Sequence, residues 1–439
     1  MWGLTCVSNM QSDSCLQFGP FRLKAGSGLW RNDHKIRLPP KEMALLELLV
    51  QSGGGVVTHE AIYKALWPRQ SIGYHSIARC VYSLRKALSP EGREYIKTVP
   101  KRGYQLTVPV DGAVQQNYRS ALESSIQTKP LPYAHFLKGQ ACVNHPGPDS
   151  LERALHWFRK AIQIDQDFAA AHSAMAEVSM YQCYRGFIHP QEGLRVGLDA
   201  CNEALRSDPN IVQALSLRGW FEALQRGEME RGLRSVEHAR RLDPEYSRAY
   251  AYQALIHRAQ GKMEAAMEYS ARAVELDPHS LFNIYVHVFT LFLAGHVAEA
   301  LQFERGVLEN HPGDDLAHGY MSLFLASLGE HREALDFAFK ALSLAKNIPA
   351  MWGFMAWSLA VCGEAEEAGR LVEKAYAARL PRCPRPIMAP ALVALGKPEQ
   401  ALSVLSEARE EQCPWFFGAK VDPRLEELRG EKRWRTLYG

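Results

Sequence analysis

The sequence predicts a mainly α chain in two unlike parts: a small N-terminal α+β domain, then a long α-helical solenoid of hairpins. Three observations carry that expectation. Between residues 16 and 110, short alternating runs, three amphipathic stretches and a second pair of alternating runs follow one another. Between residues 131 and 415, glycine returns every 34 residues at Gly227, Gly261, Gly295, Gly329 and Gly363, and after 33 at Gly396. Charge also divides between the parts. Residues 1–110 hold 15 Lys and Arg against 7 Asp and Glu, and the remainder holds 36 against 41. A small basic domain on a mildly acidic body points to a polyanionic partner for the first part alone.

In the first part, "LQFGPFRLKAGSGLW" followed by "HKIRL" alternates around Gly-Ser-Gly and Asn-Asp turns, which predicts a small antiparallel sheet. "PPKEMALLELLVQSGGG" predicts a helix opened by prolines and stopped by three glycines, with Met43, Leu45, Leu46, Leu48 and Leu49 as its apolar side. "THEAIYKALWP" predicts a second, with Thr58 as N-cap and Pro68 beyond its end. "HSIARCVYSLRKALSP" predicts a third. Ile77, Cys80 or Val81, Leu84 and Leu88 supply one buried face, and Ser76, Arg79, Tyr82, Ser83 and Lys86 fall on the other. "IKTVPKRGYQL" then reads as two strands joined by a tip of Pro100, Lys101, Arg102 and Gly103, doubly positive at its most exposed point.

In the second part, alanine stands five residues after most of the periodic glycines, at Ala266, Ala300, Ala334, Ala368 and Ala401, with Gly232 in the first copy. Seven residues later it returns at Ala239, Ala273, Ala341 and Ala408. Pro209, Pro244, Pro278 and Pro312 close the units, three of them preceded by aspartate. The glycine permits a turn between two helices, the small residue lets them approach closely, and Asp-Pro breaks the second helix. Looser copies are "SLERALHWFRKAIQID", with Ala154, Phe158 and Ala161 in register, and "LRVGLDACNEALRSDP", with Gly197 and Ala204. About eight units fit between 131 and 415. The polar stretch 111–130 predicts a linker, and the charged stretch 416–439 predicts a capping helix.

Composition narrows the function classes. With 439 residues, 47% hydrophobic and 23% charged, a folded chain is expected. The first residues lack the basic and apolar regions of a secretory signal. The most apolar stretch, 281–295, contains Asn283 and His287 and falls short of the ~20 residues a membrane span needs. It predicts a buried helix, and a cytoplasmic chain without membrane contact is expected. The nine cysteines form no Cys-x-x-Cys pair and read as buried thiols, while the histidines are scattered. No P-loop, nucleophile elbow or suitably spaced carboxylate pair occurs, so no catalytic residue, metal or cofactor is expected. Trp157, Trp220 and Trp352 read as repeat core rather than a ligand cage.

Sheet, three helices and charged hairpin, in that order, are the design of a winged helix-turn-helix. The chain resembles the OmpR/PhoB-type DNA-binding domain in "LPPKEMALLELLVQSGGGVVTHEAIYKALWP", "SIARCVYSLRKAL" and "IKTVPKRGYQL", across about residues 16–110. The period-34 part resembles the tetratricopeptide repeat, in "LIHRAQGKMEAAMEYSARAVELDP" and "LFLASLGEHREALDFAFKALSLA". A winged helix followed by such repeats is similar to the HilA-type regulators of virulence genes. The "VPKRGY" wing is shared with regulators of the ToxR and CadC kind, which carry a transmembrane helix that is not visible here.

The resemblance implies that the third helix enters the major groove and the wing reaches the adjacent minor groove or backbone. Ser76, Arg79, Tyr82, Ser83 and Lys86 then face the groove, Lys101 and Arg102 form the wing tip, and Thr58 and Trp67 approach phosphates. Arg85, on the helix flank, becomes a phosphate contact or a structural ion pair. Arg79 is the best candidate to read a base edge, because a guanidinium pairs bidentately with guanine, and the other contacts position the domain. The loop 67–76 corresponds to the family's loop that faces RNA polymerase, which favours activation. Family members bind as pairs on half-sites about one turn apart, so a homodimer on promoter DNA is implied. About 15 residues precede the first strand, fewer than a receiver domain needs, and control independent of a phosphorelay in cis is expected. The expected function is sequence-specific transcriptional regulation, with a concave repeat surface for a protein, peptide or self-association partner. The rival expectation is a repeat scaffold whose winged helix no longer binds DNA, and a weaker one has the repeats bind a small inducer.

Overall fold

The computed structural model describes residues 15–24, 28–31, 34–36, 38–66, 74–88, 95–99, 102–111, 132–143, 146–225, 228–379 and 383–439. The chain forms two compact units, Met1–Gln140 with Lys160–Gln166, and Ala141–Arg159 with Asp167–Gly439.

The first unit opens with the expected antiparallel sheet: β1 (Cys15–Phe18), β2 (Phe21–Lys24), β3 (Gly28–Arg31) and β4 (His34–Ile36). Alternation sends Leu16, Phe18, Phe21, Leu23 and Leu29 inward, while Gln17 and Arg22 stay exposed. Phe18 stacks on Phe21, and Tyr95 meets Phe21 edge-on. Helix α1 (Pro40–Gln51) starts at its prolines as expected. Its buried stripe is Leu45, Leu46, Leu49 and Val50, whereas Met43 and Leu48 are only half-buried. The i, i+1, i+4, i+5 spacing keeps those four within one helical face, which Met43 and Leu48 flank.

Strand β5 (Val56–Thr58) leads directly into α2 (His59–Leu66), and α3 spans Tyr74–Leu88. β6 (Ile96–Val99) and β7 (Gly103–Leu106) make the hairpin, and β7 lies between β5 and β6 in a second, three-stranded sheet. A last short strand, β8 (Val110–Asp111), pairs back onto β1. Gly103 is not part of the tip, as the sequence implied. It pairs with Val99 on one side and Thr58 on the other. A Cβ there would stand 2.0 Å from the Val57 carbonyl oxygen, so the glycine serves a close backbone approach.

Helix pairs then follow. α4 (Pro132–Val143) and α5 (Pro148–Ile164) come first and are divided between the two units. The second unit continues with α6 (Ala169–Arg185) and α7 (Pro190–Ser207), α8 (Val212–Leu224) and α9 (Met229–Leu242), and α10 (Ser247–Gln260) and α11 (Met263–Leu276). Then come α12 (Leu281–Leu293) and α13 (Val297–Asn310), α14 (Asp315–Ser327) and α15 (His331–Leu344). The last pairs are α16 (Pro349–Val361) with α17 (Ala365–Ala377), and α18 (Arg385–Ala394) with α19 (Pro398–Glu410).

The periodic residues do what their types allow. Gly261, Gly295, Gly329, Gly363 and Gly396 all take positive φ, from 69° to 96°, and end the first helix of each pair; Gly227 lies outside the described residues. Ala266, Ala300, Ala334, Ala368 and Ala401 are fully buried between paired helices. A Cβ on Gly232 would come within 2.3 Å of the Gly219 oxygen. The carboxylates of Asp208, Asp243 and Asp277 each accept from the backbone N–H two residues on, at 3.0, 3.0 and 3.3 Å, which turns the chain into the next pair.

Burial alternates between the two helices of a pair. In α8 every residue but Arg218 is buried, while α9 buries only Gly232, Leu233, Ser235, Val236 and Ala239. The apolar α12 is buried from Asn283 to Leu293 apart from Tyr285, and no helix of the described residues is long and apolar enough to cross a membrane. Trp220 is core, whereas Trp352 is half-buried beneath the Lys374 ammonium, 4.0 Å above its ring. Residues 416–439 are not one capping helix. Pro423 and Gly430 divide them into α20 (Phe416–Ala419), a 3-10 run (Pro423–Gly430) and α21 (Lys432–Tyr438).

Candidate nucleic-acid interface

Helix α3 is amphipathic because its apolar residues recur at three- and four-residue steps. Ile77, Cys80, Val81, Leu84 and Leu88 are all buried, so both Cys80 and Val81 belong to the core. By helical register, positions 76, 79, 82, 83 and 86 share the opposite stripe, about 120° wide. On it Tyr82 is 60% exposed, Lys86 is exposed and Ser83 is half-buried. The side chains of Ser76 and Arg79 lie outside the described residues, as do Trp67, Lys101 and most of the loop 67–76.

Arg85 lies on the flank of α3 that meets the wing. Its Nε and Nη2 donate to the Ile96 carbonyl at 3.0 and 2.8 Å, and Nη2 donates to Thr98 Oγ1 at 2.9 Å. The guanidinium therefore joins α3 to β6. These three bonds tie it to the first strand of the wing. Thr58 is the N-cap of α2, its Oγ1 accepting from the Ala61 N–H at 3.1 Å.

The base of the wing is fixed from two further sides. The Arg102 N–H donates to the Val99 oxygen at 3.0 Å, and the Arg102 oxygen accepts from the His59 N–H at 3.2 Å. The Gln105 side chain donates to the Gly54 oxygen at 2.7 Å. The His59 ring meets Tyr104 edge-on, and burial pushes its pKa down. Arg102 stays exposed beside the tip, and Lys97 is exposed on β6. Lys97 and the fastening by Arg85 escaped the sequence reading. Alternation in "IKTV" could have flagged the first; no local pattern announces the second.

Residues 33–106 match the family described as "Transcriptional regulatory protein, C terminal", and residues 222–280 match the tetratricopeptide repeat. The chain is 33% identical over 94 residues to the transcriptional regulator HilA of Salmonella typhimurium, covering 21% of this chain and 17% of that one. It is 32% identical over 107 residues to the transcriptional activator CadC of Escherichia coli, covering 24% and 20%. It is 33% identical over 90 residues to the cholera toxin transcriptional activator of Vibrio cholerae, covering 20% and 31%. The matched segment thus spans a third or less of each relative. Among solved structures, IFIT1 with m7Gppp-AAAA aligns with a TM-score of 0.51 and 16% identity over 71% of this chain and 75% of that one, a likeness of fold. The basic N-terminal unit is accordingly an OmpR/PhoB-type transcriptional regulatory domain, homologous to that of the HilA and CadC regulators, and a tetratricopeptide-repeat solenoid follows it.

Proposed function

We propose that the chain is a sequence-specific, DNA-binding transcriptional regulator, an activator, whose repeat array is a protein-interaction module. The observation that carries this is the fastening of α3 to the wing by Arg85. It ties the helix bearing exposed Lys86 to the hairpin bearing exposed Lys97 and Arg102, and cations on two fastened elements suit a duplex with one charge per ~1.7 Å. On this reading Arg79 reads a base edge, while Ser76, Tyr82, Ser83 and Lys86 line the groove. Lys101 and Arg102 hold phosphate or the minor groove, and Thr58 and Trp67 lie near the backbone. Arg85 is a positioning residue. The loop 67–76 meets RNA polymerase, and two copies bind adjacent half-sites.

Duplex binding by the full chain across a salt series tests this. Each Lys or Arg withdrawn from phosphate lowers the slope of log affinity against log salt by about 1. Binding without salt dependence, or unchanged by Arg79→Ala with Lys86→Ala, would sink it in favour of a scaffold.

A further inference from the structure

The chain's own C-terminal segment lies against the first helices of several pairs. The Trp415 indole N–H donates to the Tyr184 oxygen in α6 at 3.0 Å. Its ring stands edge-on to Tyr184 (5.3 Å), to Phe289 of α12 (5.8 Å) and to Phe354 of α16 (5.3 Å). Those helices open three non-adjacent pairs, and one side chain reaches all three only from the side toward which the array curves. The same curvature brings Arg185 of α6 onto Asp315 at the start of α14, at 3.1 and 2.9 Å.

Further along, the Arg424 guanidinium lies 5.2 Å from the Phe292 ring and 5.1 Å from the Trp357 ring. Asp422 holds it at 2.9 and 2.7 Å, and both side chains are almost wholly buried. Leu425 and Leu428 are buried beside them. The segment has no repeat register, being two short helices and a 3-10 run. It leaves α19 at Gln412, whose φ of 55° makes it the one non-glycine residue with positive φ among the described residues. The alanines close each pair internally, while the inner aromatics join neighbouring pairs, Phe289 stacking on Tyr320 at 5.7 Å and Phe292 meeting Phe324 at 5.4 Å. The C-terminal segment lies over these aromatics.

We propose that residues 413–438 are an intramolecular peptide ligand of the array's inner face. The site they occupy takes a segment bearing tryptophan and, seven residues later, Asp-x-Arg. A partner protein presenting that pattern binds the array by displacing this segment. The inference rests on the reading of the array as an interaction module and names its site.

A protease site placed at Gln412 of the full chain tests it. After cleavage the array is expected to keep its helicity, and the freed segment to exchange with a fluorescent peptide of residues 413–430. The Trp415→Ala and Arg424→Ala peptides should each bind at least about tenfold more weakly, as central anchors do. Loss of helicity on cleavage, a segment that never exchanges, or equal binding of the altered peptides would overturn the proposal and make the segment ordinary core. The salt slope of duplex binding, measured on the same cleaved sample, reports the DNA-binding reading separately. Equal capture of a peptide with scrambled order would overturn the proposal as well, because the site would then not read tryptophan followed by Asp-x-Arg, while an intact salt slope would leave the DNA-binding reading standing.

Discussion

Replacing Arg85 by methionine separates a fastening role from a phosphate contact, because the two predict different observables. Methionine keeps most of the aliphatic stem and removes the three hydrogen bonds to Ile96 and Thr98. Bonds from a charged donor contribute about 1.5–3 kcal/mol when buried. Arg85 is half-buried and Thr98 is exposed, so solvent screening brings the expected loss to about 1–2 kcal/mol. Peptide-resolved hydrogen exchange should read this as roughly 5- to 30-fold faster opening of β6 and its neighbour β7, since ~1.4 kcal/mol is a factor of ten. The salt slope of duplex binding should stay as it was. Lys86→Ala should do the opposite, lowering the slope by about 1 while leaving β6 exchange unchanged. An Arg85→Met protein with a slope reduced by ~1 and unaltered exchange would refute the reasoning, because its guanidinium would then have been spent on phosphate.

Other residues give further outcomes. Gly103→Ala forces a methyl against the Val57 oxygen, where backbone and not a flexible side chain must move; a loss of about 3 kcal/mol in the first unit is expected by urea unfolding. Ala334→Leu overfills a fully buried contact between α14 and α15 and should cost about 1–3 kcal/mol in a far-ultraviolet melt. Burial holds the His59 pKa below its ordinary 6.5, so the unfolded chain binds the extra proton. Stability of the first unit that is present above pH 6.5 should therefore fall as pH drops through the folded value, and His59→Phe should flatten that loss in unfolding measured at pH ~5 and ~7.5. Lys101→Ala with Arg102→Ala should weaken binding to all duplexes similarly, and a selection experiment returning a changed preferred sequence would mean the wing reads bases.

The sequence by itself determined what depends on neighbours along the chain. The 34-residue glycine period needs only the steric freedom of one left-handed residue, and the buried alanines need only helix spacing. Both could be placed by number, and so could the face of α3 buried by Ile77, Val81, Leu84 and Leu88. Thr58 as a cap is equally local, since its partner is three residues away. Tertiary structure decided where long polar side chains end. Nothing in "SLRKAL" distinguishes Arg85, bonded to a strand 11 residues on, from Lys86, which stays in water. The hairpin tip changed in the same way: Gly103 looked like a turn residue until β5 came alongside it. The C-terminal segment is the extreme case. Trp415 meets a carbonyl 231 residues away, a contact set by the accumulated curvature of successive helix pairs, which no single repeat encodes. Local sterics fix each turn, but only the stacking of successive pairs brings distant turns together.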